Sequence, residues 1–271
     1  MSKAEVDALY EGTWSVGLDK VFHPMDRNEP ARKGALKLSI NPFLIQHRDQ
    51  IILFDAGLGD LAEESSTQRL LKNLQGCGVD SSDVTDVVIS HLHYDHFSGL
   101  VRHDDGYPDL TFPDAAIWVN GDGWTQMRDR DGNTDNDTRK TLFHFLDARA
   151  DLHFLDREST PFPGLKTQVI GGHTRYSQLL EYTDGETTWL MAGDNLGRRS
   201  AILRNFKAKY DHDPDTSHRF REALRERAGS ETIILMAYHD SESPLFRVEK
   251  DNRGGIRTVA IPNAHDHGFT S

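Results

Sequence analysis

A chain of 271 residues with 37% hydrophobic side chains can bury a sizeable core, and its single cysteine, Cys77, excludes an internal disulfide framework and fits a reducing compartment. The formal charge of −12 argues against a polyanion binder, because phosphate backbones are held by lysine- and arginine-rich surfaces, so no nucleic-acid partner is expected. No apolar run approaches the roughly 18 residues of a membrane span, and Met1-Ser2-Lys3-Ala4-Glu5-Val6-Asp7 lacks an apolar signal segment; no membrane partner is expected, and the location is read as cytoplasmic.

The first predicted strand is Thr13-Trp14-Ser15-Val16, followed by a loop through His23-Pro24 to Pro30. Ala35-Leu36-Lys37-Leu38-Ser39-Ile40 alternates as a strand. Phe43-Leu44-Ile45 and Ile51-Ile52-Leu53-Phe54, joined by the polar turn His47-Arg48-Asp49-Gln50, read as a hairpin. It closes on Asp55-Ala56-Gly57, and a carboxylate at the end of an apolar strand is costly to bury unless it accepts hydrogen bonds. Residues 66–75 form a predicted helix with Leu70, Leu71 and Leu74 on one face, stopped by Gly76 and Gly78, with Cys77 as a small filler at its end.

Val87-Val88-Ile89 then reads as a buried strand running into Ser90-His91-Leu92-His93-Tyr94-Asp95-His96. If the chain stays extended, a period of two puts the imidazoles of His91 and His93 on one face. Asp95 and His96 fall where the strand gives way to a loop or first helical turn, so they diverge towards a second point. Four metal-competent side chains within six residues, all nitrogen or oxygen donors with no thiolate nearby, suit zinc.

Ala116-Ile117-Trp118-Val119 is the next predicted strand, and Trp124-Thr125-Gln126-Met127 opens a helix. Residues 128–139 are charged and Gly/Asn-rich. Asp129, Asp131, Asn133, Asp135 and Asp137 invite a calcium loop, but the glycine is misplaced for an EF-hand and the closing glutamate is absent, so a solvated loop is expected. A helix resumes over 141–148. Strands follow over 152–155, 166–170, 178–182 and 187–191, the last two joined by a tight turn at Asp184-Gly185. Asp215-Thr216-Ser217 is read as the cap of a helix running towards Arg227 with Phe220, Ala223 and Leu224 inward. Strands over 232–236 and 256–261 complete the pattern, and His265 and His267 lie in a polar tail as non-ligands. With no Ser/Gly linker and no break in composition, 1–271 reads as one domain with its core over about 36–262, built as two sheets face to face with helices outside.

The His-x-His-x-Asp-His segment resembles the signature of the metallo-β-lactamase superfamily of metal-dependent hydrolases. Further matches stand in that family's order: Ile52-Leu53-Phe54-Asp55-Ala56-Gly57, Gly171-Gly172-His173-Thr174, Leu190-Met191-Ala192-Gly193-Asp194 and Ala237-Tyr238-His239-Asp240. The layout is most similar to the acyl-homoserine lactonase-like and organophosphate hydrolase-like branch. The resemblance implies an α/β fold, a four-layer αββα sandwich with its metals at one edge between the sheets. It also implies a ligand set: His91, His93 and His173 for one metal, Asp95, His96 and His239 for the other, and Asp194 bridging. Asp55 supports the ligating imidazoles from behind, and Asp95 and Asp194 are the catalytic carboxylates. The other histidines, among them His23, His103 and His212, are left as ordinary side chains.

The implied activity is that of a dinuclear zinc-dependent hydrolase, with zinc replaceable by another divalent transition metal, in which a bridging hydroxide attacks a small lactone or ester. The partner is a small-molecule substrate, and the oligomeric state is open, a homodimer being one option. Phosphoester or phosphotriester hydrolysis and glyoxalase-type thioester hydrolysis are the enzymatic alternatives, and a metal-bound sensing or scaffold module is the non-enzymatic one. Two positions depart from the relatives. Arg175-Tyr176 stands where Pro-Gly is common, and Gly197 stands where the acyl-homoserine lactonases carry a tyrosine. Tyr176 is the candidate substrate-binding hydroxyl in its place, with a buried packing role as the alternative.

Overall fold

The computed structural model describes residues 3–61, 67–132, 137–250 and 255–265. The first large sheet is laid down in chain order from β1 (Glu5–Ala8), β2 (Phe43–His47), β3 (Gln50–Phe54), β4 (Asp86–Val88), β5 (Ala116–Asn120) and β6 (Asp151–Leu155). The second follows, also in chain order, from β7 (Glu158–Ser159), β8 (Leu165–Val169), β9 (Gln178–Thr183), β10 (Thr188–Met191), β11 (Ile233–Met236), β12 (Leu245–Lys250) and β13 (Ile256–Ala260). β1 to β3 pair antiparallel, and β3 to β6 run parallel. Parallel neighbours need crossovers. These are supplied by α1 (Thr67–Gly76), α2 (Tyr94–Phe97), and the pair α3 (Gly121–Gly132) and α4 (Asp137–Arg149). In the second sheet only β10 and β11 are parallel, with α5 (Pro214–Ala228) between them.

Alternation along each strand sends neighbouring side chains to different layers. Phe43, Ile45, Ile52, Phe54 and Val88 face inward and pack with Leu165, Leu180, Trp189, Met191 and Met236 of the other sheet. Leu44, Leu53, Val87 and Val119 face outward and pack with Leu70, Leu74, Trp124, Phe143 and Leu146 of α1, α3 and α4. On the far side Leu190, Ile233 and Leu235 pack with Leu224 and Ala228 of α5. Helix, sheet, sheet, helix is the four-layer αββα sandwich, as expected. Among the described residues, no helix is long and apolar enough to cross a membrane.

Three expectations are corrected. The stretch 128–139 is mostly not a loop, because α3 runs to Gly132 and α4 starts at Asp137, while Asn133 and Asp135 lie outside the described residues. The indole of Trp124 donates to Asp147 at 3.0 Å and the Arg128 guanidinium reaches the same carboxylate at 3.5 Å, and this tie to α4 overrides the weak helix propensity of the segment. The cap of α5 is Asp213, not Asp215: its Oδ1 accepts from the Thr216 N–H at 3.0 Å and Pro214 takes the first turn. Ser217, Arg221, Leu224 and Ala228 face inward with Phe220 partly buried beside them, while Ala223, expected inward, is exposed. Finally, Phe22–Pro24, inside the expected loop, is a strand of a small sheet with Gly12–Val16 and Leu36–Ile40.

Candidate metal centre

The parallel strands β3 and β4 end side by side, and each delivers its functional residues from its carboxyl end. Asp55 follows β3 in the left-handed region (φ 59°), which turns its carboxylate towards the segment after β4. It accepts three short hydrogen bonds there: from the Ser90 N–H at 2.6 Å, the Ser90 hydroxyl at 2.7 Å and His96 Nδ1 at 2.6 Å. β4 itself stops at Val88, and the chain stays extended to His93 (φ −79°, ψ 146°), so His91 and His93 lie together, their ring centroids 4.7 Å apart. The first turn of α2 then carries Asp95 and His96 to the other side.

This junction is tight. The Ala56 N–H donates to the His96 carbonyl at 2.7 Å, and a Cβ on Gly99 would lie 1.9 Å from the Ala56 carbonyl oxygen. Only glycine lets the two backbones approach so closely. Gly99→Ala should therefore lower unfolding stability by about 1–3 kcal/mol, read from the denaturant midpoint, with weaker metal retention because His96 moves with the loop.

His173 follows β8 through Gly171 and Gly172, both at positive φ (66° and 85°). The turn is closed by Ser177, whose carbonyl accepts from the Ile170 and Gly171 N–H groups and whose hydroxyl accepts from the Thr174 N–H. Asp211, 38 residues on, meets His173 Nδ1 at 2.9 Å and is itself buried. The buried Arg221 guanidinium on α5 faces Asp211 electrostatically while donating to the Asn195 carbonyl at 3.2 Å. Asp194 follows β10, and His239 follows β11. His239 Nδ1 donates to the Ser39 carbonyl at 2.9 Å and its N–H to the Gly197 carbonyl at 2.7 Å. Tyr238 stacks on His96 (centroids 4.2 Å apart) and donates its hydroxyl to the Asp95 carbonyl at 2.7 Å.

The seven predicted side chains converge as two groups. His91, His93, His173 and Asp194 form one, and Asp95, His96 and His239 the other, with ligand atoms inside each group within 4.8 Å of one another. Asp194 touches both: Oδ2 lies 3.3 Å from His173 Nε2, while Oδ1 lies 2.9 Å from His239 Nε2 and 3.3 Å from His96 Nε2.

The donor set fits metal ions. His96 Nε2, His239 Nε2 and Asp194 Oδ1 are buried without an aligned hydrogen bond, despite the short distances between them, so they face a common space rather than each other. His93 Nδ1 sits 3.1 Å from His91 Nε2 and 3.0 Å from His173 Nε2, a clustering of nitrogens that a cation between them accounts for. Burial and the neighbouring imidazoles hold His91 well below the usual histidine range, and burial together with His173 pushes His93 down to about 4. Both are then neutral at pH 7, the form that ligates. Burial also lowers His96 and His239, but there the carboxylates win. Asp95, Asp55 and Asp194 raise His96, and Asp194 and Asp95 raise His239. Asp194, despite burial, is held well below the carboxylate range by His239 and His173. These carboxylates call for positive charge in the cleft.

Beside the first group opens a cavity of about 320 Å³. Tyr176 lines it and also seats its Cβ 3.1 Å from where a Cβ on Gly123 of α3 would stand. Gln178 lines the cavity too; its amide N–H donates to the Ile89 carbonyl at 3.0 Å and its oxygen is a buried acceptor with no partner. Sequence reasoning missed Asp211, Tyr210 and Gln178, and left His212, another lining residue, as ordinary. His23 pairs with Asp19 and His103 with Asp60, outside both groups. His265 stands on Asp7 beside Cys77, whose thiol burial and Asp7 push up to about 12; His267 lies outside the described residues.

Three solved structures share this arrangement of elements. A probable metal-dependent hydrolase from Staphylococcus aureus is 19% identical with TM-score 0.75, the match covering 97% of this chain and 99% of that one. AidC, a dizinc quorum-quenching lactonase, is 21% identical with TM-score 0.73, over 97% of this chain and 96% of that one. The hydrolase AbOPH, of the beta-lactamase superfamily, is 18% identical with TM-score 0.74, over 97% and 96%. No curated protein sequence matches the chain significantly. Residues 36–239 match the sequence model of the metallo-beta-lactamase superfamily, a span that holds all seven converging side chains. The chain belongs to the metallo-beta-lactamase superfamily.

Proposed function

We propose that this chain is a single-domain, dinuclear zinc hydrolase that cleaves a small lactone or ester. The observation that carries the reading is Asp194, whose two carboxylate oxygens each face a different ligand group. His91, His93 and His173 would hold one ion, Asp95, His96 and His239 the other, and Asp194 both. When bound, such a pair supplies a water acidic enough to attack at neutral pH and a Lewis acid for the substrate oxygen. The remaining work belongs to the chain. Asp55, Asp211 and the Ser39 carbonyl fix the ring orientations of His96, His173 and His239. Asp95, with Oδ2 3.6 Å from His239 and 3.7 Å from His96, takes up a proton of the attacking water and returns it to the leaving oxygen as the acyl C–O bond breaks. Tyr176 and Gln178 position the substrate in the cavity. The fold likeness to a dizinc lactonase supports this choice of bond.

The test is a panel of a γ-lactone, an aryl ester and a phosphotriester offered to zinc-loaded protein, before and after chelation. Lactone or ester turnover that chelation abolishes and added zinc restores is the expected result. Turnover of the phosphotriester alone would move the reading to that chemistry, and none at all would overturn it.

A further inference from the structure

The cavity beside the first ligand group has an uneven charge. The chain carries 43 Asp and Glu against 31 Lys and Arg, yet among the described residues that line the wall there is no carboxylate. Its charged side chains are Arg130 and Arg175. Arg175 stands two residues after His173, at the tip of the turn that Ser177 closes with both its carbonyl and its hydroxyl. The neighbouring Tyr176 anchors that turn on Gly123 of α3, so the backbone presenting Arg175 is pre-organised. The guanidinium is exposed and makes no ion pair or hydrogen bond with any described residue. A surface arginine of an acidic protein without a carboxylate neighbour leaves five donors in a planar fork for something else.

Resting on the hydrolase reading above, we propose that the substrate is an ester or lactone carrying a carboxylate, and that Arg175 is the specificity residue that binds this group. The negative field of the whole chain repels such a molecule at a distance, and a local cation at the mouth of the cavity offsets this where it matters. A fork of N–H donors matches a carboxylate in two parallel hydrogen bonds. With the carboxylate held at the tip of the turn, a short chain places the acyl carbon towards His91, His93 and His173, which line the same cavity.

The experiment uses two esters of equal length and the same leaving group, mono(4-nitrophenyl) glutarate and 4-nitrophenyl valerate, with zinc-loaded full-length protein. The expected kcat/KM favours the glutarate by about tenfold or more, and high salt narrows that preference. Arg175→Gln should lower kcat/KM for the glutarate about tenfold more than for the valerate, chiefly through KM, and Arg175→Lys should recover part of the difference. Equal or better turnover of the valerate, or an equal fall for both esters in Arg175→Gln, would overturn the charge inference and leave the hydrolase reading standing. If neither ester is cleaved, the γ-lactone and phosphotriester of the panel above decide the hydrolase reading, and calorimetric titration with monomethyl glutarate decides the charge inference: a tenfold weaker affinity in Arg175→Gln supports it, and unchanged affinity overturns it.

Discussion

Asp194→Ala should abolish turnover, by roughly a thousandfold or more, the scale seen when one member of a catalytic unit is removed. The same change should strip metal from both groups rather than one. The reason is geometric. Oδ2 faces His173 and Oδ1 faces His96 and His239, so a single side chain contributes to each cluster. It is also the carboxylate that balances the positive charge gathered there, held ionised by His239 and His173 although buried. Elemental analysis of the purified variant beside the kinetics checks this. Loss of activity with full metal content would mean that Asp194 acts on the substrate and is not shared by the two groups.

Asp55→Ala is expected to act through the fold first. The carboxylate is completely buried and accepts from the Ser90 N–H, the Ser90 hydroxyl and His96 Nδ1. Deleting it orphans three donors, each worth about 1–3 kcal/mol when left buried without a partner, so stability should fall by about 3 kcal/mol or more. His96 loses the partner that fixes its ring, and metal affinity should fall about 10–100-fold. Asp55→Asn tolerates the left-handed backbone and keeps one acceptor oxygen, so it should recover part of the stability but not the orientation of His96. Denaturant titration and metal competition read the two effects separately. A stability change below about 1 kcal/mol in Asp55→Ala would remove Asp55 from its supporting role.

The two groups were legible in the sequence because four of their members are contiguous, from His91 to His96, and the others each close an apolar strand. Strand endings can be read from composition, and the fold brings the ends of β3, β4, β8, β10 and β11 to one edge. Asp211 gave no such sign. It lies between Tyr210 and His212 in a stretch without periodicity, and long-range backbone bonds, from the His212 N–H to the His173 carbonyl at 3.0 Å and from the Asp213 N–H to the Gly172 carbonyl at 2.8 Å, bring it behind His173. The same holds for Gln178, which reads as an ordinary first residue of β9 and becomes a cavity acceptor through its bond to the Ile89 carbonyl. The four layers followed from alternation at residues such as Phe43 and Leu44, which belong to different cores. Where charge or glycine content stood in for packing, as over 128–132 of α3, the reading failed because the contact with α4 lies far along the chain. β12 escaped notice because its alternation is short and follows directly on Pro244, and its place in the sheet depends on pairing with β11 and β13.

In the proposed centre, seven side chains on one edge of the sandwich hold a pair of transition-metal ions. Metal content of the zinc-supplemented protein, measured by elemental mass spectrometry after exhaustive desalting, tests it most directly. About two zinc ions per chain are expected, the number that two-metal hydrolytic sites require. No more than trace metal in folded protein would contradict it.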